Sequence, residues 1–274
     1  MSALALVTGG TGTLGSHVVR RLRDAGVQVR SLSRHSRAPE AGIEYITGDL
    51  DTGEGVAEAV AGAGIIVHLA GANKGDDEKA RNLVQAASRV GSPHLVYISV
   101  VGADSVPVIS GVDRAMFGYF ASKRAAERVV AESGLPWTTL RATQFHDLFL
   151  LVARQMAKLP IVPLPAGMRF QPVDADEVAA RRVELALGGP QGLAPDIGGP
   201  RIYSPAELLR AYLRASHQRR VTIPLWLPGR AARAIRAGEN LAPEHAVGQK
   251  TWEEFLAERL GAPSARRGAP VLAS

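Results

Sequence analysis

Tyr119 and Lys123 stand four residues apart in the segment Tyr–Phe–Ala–Ser–Lys. At that spacing a helix carries both on one face. A phenol and an ammonium facing a bound cofactor make a proton-transfer pair. The ammonium charge favours the phenolate and lowers the tyrosine pKa from its ordinary ~10. The same spacing is also common on plain helix surfaces, so its weight depends on what precedes it in the chain.

What precedes it is the stretch at residues 4–15, LALVTGGTGTLG. A short apolar run at 4–7 breaks into glycines at 9, 12 and 15, and a helical pattern opens behind them. Strand, glycine turn and helix together form the dinucleotide fingerprint. Gly9 permits the tight turn, Gly12 lets the main chain approach a pyrophosphate, and Gly15 lets the helix pack close. The anion sits at the helix N-terminus, where unpaired N–H groups and the helix dipole favour negative charge. The expected contacts there are Thr8, Gly9, Gly12, Thr13, Leu14 and Gly15.

These residues need a scaffold, and the chain alternates accordingly. Helical patterns at 14–25, 56–61, 76–90 and 115–132 alternate with apolar runs at 27–32, 43–47, 65–69, 94–98 and 137–141. That alternation predicts an α/β, Rossmann-type, doubly wound parallel sheet with helices on both faces. The second strand ends at Ser33–Arg34 with Arg37 close behind. An acidic residue about twenty residues past the glycines would hold the ribose 2′-hydroxyl of NAD. Arginines stand there instead, and guanidinium grips a 2′-phosphate in a bidentate fork. The expected cofactor is therefore NADP, as NADPH; the plain alternative is two loop charges. Asp49 and Leu50 follow the third strand, with Asp49 either at an adenine edge or closing a turn. Ala70, Gly71 and Ala72 end the fourth strand, small enough for a cofactor to lie against the main chain.

Thr143, Gln144, Phe145 and His146 follow the sixth strand. Ligands in open α/β sheets bind beyond the carboxyl ends of strands, so these four are candidate pocket residues. His146 could instead simply open a helix beside Asp147. After Lys158 the prolines at 160, 163 and 165 break the pattern. A short strand is expected at 169–173, a helix capped by Asp174 behind it, and a last strand and turn at 196–199. Asp174, Asp176 and Glu177 read as cap and first-turn charges rather than metal ligands. Helices are expected at 204–215, 225–237 and 251–260. The domain expectation is a dinucleotide-binding domain at 1–158, with 169–200 returning to it. A mostly helical substrate lobe at 159–262 and a flexible tail at 263–274 complete it.

The chain has 274 residues and no cysteine, which excludes disulfides and thiolate catalysis. No apolar run approaches the ~20 residues of a membrane span. The net charge of +6 comes with only 5% aromatics, which argues against nucleic-acid binding. The expectation is a cytoplasmic, metal-free protein with a small-molecule substrate, as a monomer or homodimer.

The set Gly9-x-x-Gly12-x-x-Gly15, Asp49–Leu50, Leu69–Ala70–Gly71, Ser99, Tyr119-x-x-x-Lys123 and Arg141 resembles the short-chain dehydrogenase/reductase superfamily. The closest likeness is to its extended or atypical branch and the NmrA-like NAD(P)-binding proteins, over residues 4–184. The resemblance implies that Tyr119 is a general acid–base and that Lys123 holds the nicotinamide ribose and tunes the tyrosine. It implies that a hydroxyl near the end of strand five polarises a carbonyl. Ser99 is the match, although extended members tend to carry that hydroxyl one residue on, at Val100 here. Ser105, Ser110, Thr143 or His146 are the substitutes. Val100, Phe145, Phe149, Phe170 and Trp226 are expected to wall the substrate. The resulting expectation is an NADPH-dependent reductase of a carbonyl or conjugated C=C. The alternatives are a non-catalytic NADP(H) sensor and an NAD-dependent epimerase or dehydratase.

Overall fold

The computed structural model describes residues 4–38, 40–71 and 75–261. Ala72 and the expected tail at 263–274 lie outside them. The first half of the chain alternates strand and helix: β1 (Leu4–Thr8), α1 (Thr13–Asp24), β2 (Gln28–Ser33), β3 (Ile43–Thr47), α2 (Val56–Val60), β4 (Ile65–His68), α3 (Asp76–Val90), β5 (His94–Val100), α4 (Gly111–Ala131) and β6 (Trp137–Ala142). The second half holds α5 (His146–Met156), β7 (Ile161–Pro165), α6 (Ala175–Leu187), β8 (Gly192–Leu193), α7 (Pro205–Ala215), β9 (Val221–Leu225), α8 (Arg230–Ala237) and α9 (Trp252–Leu260).

Seven strands form one parallel sheet in the order β3-β2-β1-β4-β5-β6-β8. This is the doubly wound Rossmann order with one further strand at the β6 edge. The order reverses between β1 and β4, so a crevice opens beyond the carboxyl ends of those two strands. Period-two alternation divides the core. Leu6, Ile66, Leu95 and Tyr97 pack against Val56 of α2, Leu83 of α3 and Ala126 of α4. Ala5, Val7, Val67 and Val96 pack against Leu14 and Val18 of α1 and Val178 of α6. Helices α1 and α6 are also clamped at the surface. Asp176 accepts from Arg20 and Arg21 and lies 3.1 Å from His17. The acidic cluster at 174–177 is thus a helix start: Asp174 caps α6 by accepting from the Asp176 N–H. No group of acids and histidines arranged to hold a metal occurs among the described residues.

The lobe departs from expectation in three places. The expected strand at 169–173 reduces to isolated bridges, Phe145 with Val173 and Phe170 with Tyr203. The expected strand at 196–199 is one bridge, Ala142 with Ile197, and the ladder runs instead through Gly192–Leu193. The expected helix at 225–237 begins only at Arg230, and Val221–Leu225 is a strand paired in parallel with Ile161–Pro165. Pro163, Pro165 and Pro224 disguise that ribbon in the sequence. A two-stranded sheet has two free edges, and proline is tolerated there because its missing N–H costs no ladder bond. Pro228 and Gly229, the latter with φ of 105°, then separate strand from helix. The lobe core is built from α5, α7, α9 and β7 around Trp252, Tyr203, Phe255 and Leu208.

Candidate active site

The crevice is a trough with two communicating parts. One, of about 390 Å³, is walled by Gly9, Gly12, Arg34, Arg37, Asp49 and Ala70 among others. The other, of about 570 Å³, is walled by Thr13, Leu14, Ser99, Tyr119, Lys123 and Gln144 among others. Gly9, Gly12, Leu69 and Gly71 border both.

The three glycines of the turn answer to different constraints. Gly9 has φ of +70°, and a Cβ there would lie 2.7 Å from the Ala70 nitrogen. A Cβ on Gly15 would lie 2.0 Å from the Gly9 carbonyl oxygen. Both are demanded by the fold itself. A Cβ on Gly12 would meet only the Gly9 carbonyl at 3.4 Å, an ordinary contact. Its φ is −81°, open to any residue. The protein therefore has no internal need of glycine at 12, and the space there is left to a ligand. Gly12 also precedes the first turn of α1, which carries no acidic residue. The N–H groups of that turn have no intrahelical partner. The turn thus fits a pyrophosphate by shape and by charge.

Thr8 borders the trough and also supports it. It is fully buried, its hydroxyl accepts from the Leu69 and Ala70 N–H groups, and it bonds His68 Nδ1 at 2.7 Å. Its side chain pins the ends of β1 and β4 together beneath the glycine turn. His68 is itself fully buried, stacks on Tyr97 and is pushed down to about 3, by burial first and then by the Lys123 charge.

Arg34 and Arg37 border the trough and are exposed. Among the described residues neither forms an ion pair, and Arg37 only flanks the Tyr45 ring at 6.0 Å. Lys79 joins them, paired with Asp51 at 2.6 Å. Asp49 borders the trough while accepting from the Asp51 N–H, so it closes the turn whatever else it meets. Leu50 is a core residue whose carbonyl also anchors Asn82.

Tyr119 and Lys123 lie in α4 and face the same cleft, Lys123 Nζ standing 5.6 Å from the tyrosine ring centre. Lys123 is buried and forms an ion pair with fully buried Asp76 at 3.0 Å. It also donates to the Tyr97 hydroxyl at 3.4 Å and to the Ile98 carbonyl at 3.3 Å. Gly71 lies over the pair, and a Cβ there would come within 2.9 Å of Nζ. The sequence reading treats Asp76 as nothing more than a helix start. Its signal was slight: an acid at the first turn of the helix after β4 has an ordinary dipole role.

Asp76 opposes the pull of Lys123 on the tyrosine. Alone, Lys123 would pull the tyrosine pKa down. With Asp76 beside it the pair is close to neutral overall. Desolvation of the phenol against the cleft wall, in a residue still 37% exposed, and then the Asp76 charge, raise the Tyr119 pKa above its ordinary value. Burial likewise holds the lysine below its usual range, although Asp76 opposes this. Tyr119 is a phenol at neutral pH, as an ordinary tyrosine is, and the upward shift makes it a weaker acid.

Ser99 is buried at the end of β5, on the strand face that also carries Tyr97. The residue borders the cleft, and its hydroxyl is buried with no hydrogen-bond partner among the described residues. The substitutes are engaged elsewhere. Thr143 donates to the Gln171 carbonyl at 2.5 Å, Ser110 caps α4 and Ser105 donates weakly to the Glu239 carbonyl. His146 is fully buried, donates from Nε2 to the Lys250 carbonyl at 3.0 Å and stacks on Trp252 and Phe255. It does not border the cleft. Val100, Thr143, Gln144, Phe145 and Phe170 do. Phe149 stands behind Phe170, ring centres 5.3 Å apart, facing an adjoining cavity. Trp226 is 68% exposed and lies against Arg236, away from the cleft. It follows the end of β9 and precedes α8, whereas the expected helix at 225–237 would have placed it in a helix. Met116, Phe117, Leu148 and Ile235, unremarked in the sequence, complete the apolar wall.

A family model described as NAD(P)H-binding matches residues 9–148. The chain belongs to this NAD(P)H-binding family. Among curated relatives, the NAD(P)H azoreductase of Xenophilus azovorans is 28% identical over 249 residues, 87% of this chain and 84% of that protein. A (4-alkanoyl-5-oxo-2,5-dihydrofuran-3-yl)methyl phosphate reductase of Streptomyces griseus is 29% identical, over 74% of this chain and 71% of its own. Among solved structures, an NADPH-dependent quinone oxidoreductase of Escherichia coli complexed with NADPH superposes with a TM-score of 0.78 at 18% identity. That match covers 94% of this chain and all of that one. This NAD(P)H-binding chain thus has the Rossmann fold that the quinone oxidoreductase shares. Its curated relatives include these two reductases, and also photosystem II assembly factors. No helix among the described residues is long and apolar enough to cross a membrane.

Proposed function

We propose that the protein is an NADPH-dependent reductase of a carbonyl or conjugated C=C group in a small organic molecule. The observation that carries this reading is the sharing of one cleft by the glycine turn, Tyr119, Lys123 and the unpartnered Ser99 hydroxyl. NADPH supplies the hydride when bound. Arg34 and Arg37 hold its 2′-phosphate, and the first turn of α1 holds its pyrophosphate. Ser99 donates to the substrate oxygen and draws charge towards it. Tyr119 gives the proton that completes the reduction. Lys123 orients the ribose and the tyrosine, and Asp76 holds Lys123 in place. A positioned acid of this kind contributes ~10²–10⁴-fold to rate.

NADPH absorbance followed against a panel of quinones, enones, aldehydes and ketones tests the reading. Turnover of at least one class, falling ~10²-fold or more in Tyr119→Phe at unchanged NADPH affinity, is the expected result. Undiminished turnover in Tyr119→Phe removes the mechanism. Tight NADPH binding without turnover of any compound makes the protein a sensor.

A further inference from the structure

Beyond Phe170 the cleft adjoins a second cavity of about 240 Å³, which no part of the reductase reading uses. Phe149, Val152 and Met156 of α5, Leu164 of β7 and Leu208 and Leu209 of α7 line it. Leu164, Leu208 and Leu209 are buried and form its floor, while Val152, 40% exposed, stands at its rim. Gln144, Leu148 and Phe170 border both this annex and the Tyr119 cleft. The two volumes are therefore neighbours across three shared side chains. Gln144 is the sole polar residue of the annex lining, and its Oε1 is buried without a hydrogen-bond partner among the described residues. A buried amide left unpaired carries a desolvation cost that a ligand group can relieve.

We propose that the annex is the tail subsite for a bipartite substrate, one with a polar reducible head and an unbranched alkyl or slim aryl tail. The inference rests on the reductase reading for what happens to the head, but the tail subsite stands on its own geometry. Gln144 sits at the junction and hydrogen-bonds the head, directing it towards Ser99 and Tyr119. The tail passes Phe170 into the carbon-lined annex. A methylene fills about the share of space of a liquid water, ~30 Å³, so the annex holds a chain of roughly eight carbons. Each buried methylene strengthens binding by about three- to fourfold. Short substrates then bind weakly, and selectivity comes from chain length rather than from polar contacts.

Calorimetric binding of 4-n-alkylphenols, from methyl to dodecyl, to the NADP⁺-loaded protein tests this without requiring turnover. Affinity rises about three- to fourfold per methylene to a length near eight carbons and then levels off. Val152→Trp, a rim change on an exposed position, flattens the series, as does Leu208→Trp in the floor. NADPH affinity reports that both remain folded. Gln144→Leu weakens every member of the series by a similar factor and leaves the slope unaltered. A flat series in the wild-type protein overturns the subsite. So does a slope unchanged by both tryptophan variants. An intact chain-length dependence in a protein that turns over no carbonyl or enone keeps the subsite and removes only the reductase reading.

Discussion

At the Arg34 end the trough is walled by main chain, glycines and small or charged side chains, whereas at the Leu208 end the annex is walled by carbon, with Gln144 the one polar residue in its lining. The first region recognises its ligand by N–H groups and guanidinium charge, at positions set by a sheet buried on both faces. The second is shaped by side-chain volume between two helices and a short ribbon. Backbone recognition tolerates little change of residue, because a single Cβ collides with main chain. A carbon-lined cavity tolerates much, because volume-conserving swaps of apolar residues cost little. The same scaffold can therefore keep its cofactor while its substrate changes.

Between the two regions lies the Asp76–Lys123 pair, and its loss is expected to have the largest effect. Asp76→Asn leaves the buried lysine charge uncompensated and costs ~3–5 kcal/mol in chemical denaturation, since breaking one side of a buried pair is strongly destabilising. A cost below ~1 kcal/mol would mean that the pair is not the hinge of the site. Next comes the charge at the ribose. Arg34→Asp removes a charge-assisted bond worth ~1.5–3 kcal/mol, so the KM for NADPH rises about ten- to a hundredfold while that for NADH changes much less. Equal changes for both cofactors make Arg34 a loop charge.

The glycine turn gives a sharper contrast. Gly15→Ala forces a methyl against the Gly9 carbonyl and lowers stability by ~1–3 kcal/mol. Gly12→Ala leaves the thermal midpoint near that of wild type but weakens NADPH binding, measurable by fluorescence titration. Weakened stability without weakened binding in Gly12→Ala would give that glycine to the fold instead of the ligand. A further effect concerns acid. His68 stays neutral to about 3 when folded and takes its proton near the ordinary 6.5 when unfolded. Between those values the unfolded chain binds more protons, so stability falls as pH falls, by up to ~1.4 kcal/mol per pH unit from this group. His68→Phe flattens that part of the pH–stability curve, and an unaltered slope there would mean that His68 is not its source.

The strands and helices up to residue 142 were legible because they repeat a local rule: apolar run, glycine or small turn, amphipathic helix. α3 and β3 begin and end where the pattern puts them, while α4 begins earlier, at Gly111, where Ser110 and Asp113 form a capping box. The lobe was less legible. Its ribbon is made of proline-rich segments 60 residues apart, Ile161 opposite Val221, and neither has a strand's texture on its own. The site divides the same way. Tyr119, Lys123 and Ser99 could be named from spacing and resemblance, but His146 and Trp226 could not be sorted from pocket residues. A histidine after a strand end looks the same whether its ring faces a ligand or Trp252.

The sequence alone determined the dinucleotide turn, the parallel sheet and the two arginines at its second strand, because each is a short-range pattern with a fixed physical meaning. Only the tertiary structure decided that Asp76 pairs with Lys123, and that an apolar annex adjoins Gln144. Those facts depend on groups 47 residues apart, or on three separate elements closing around one space. Charge and volume act through distance in space, and chain order does not record it.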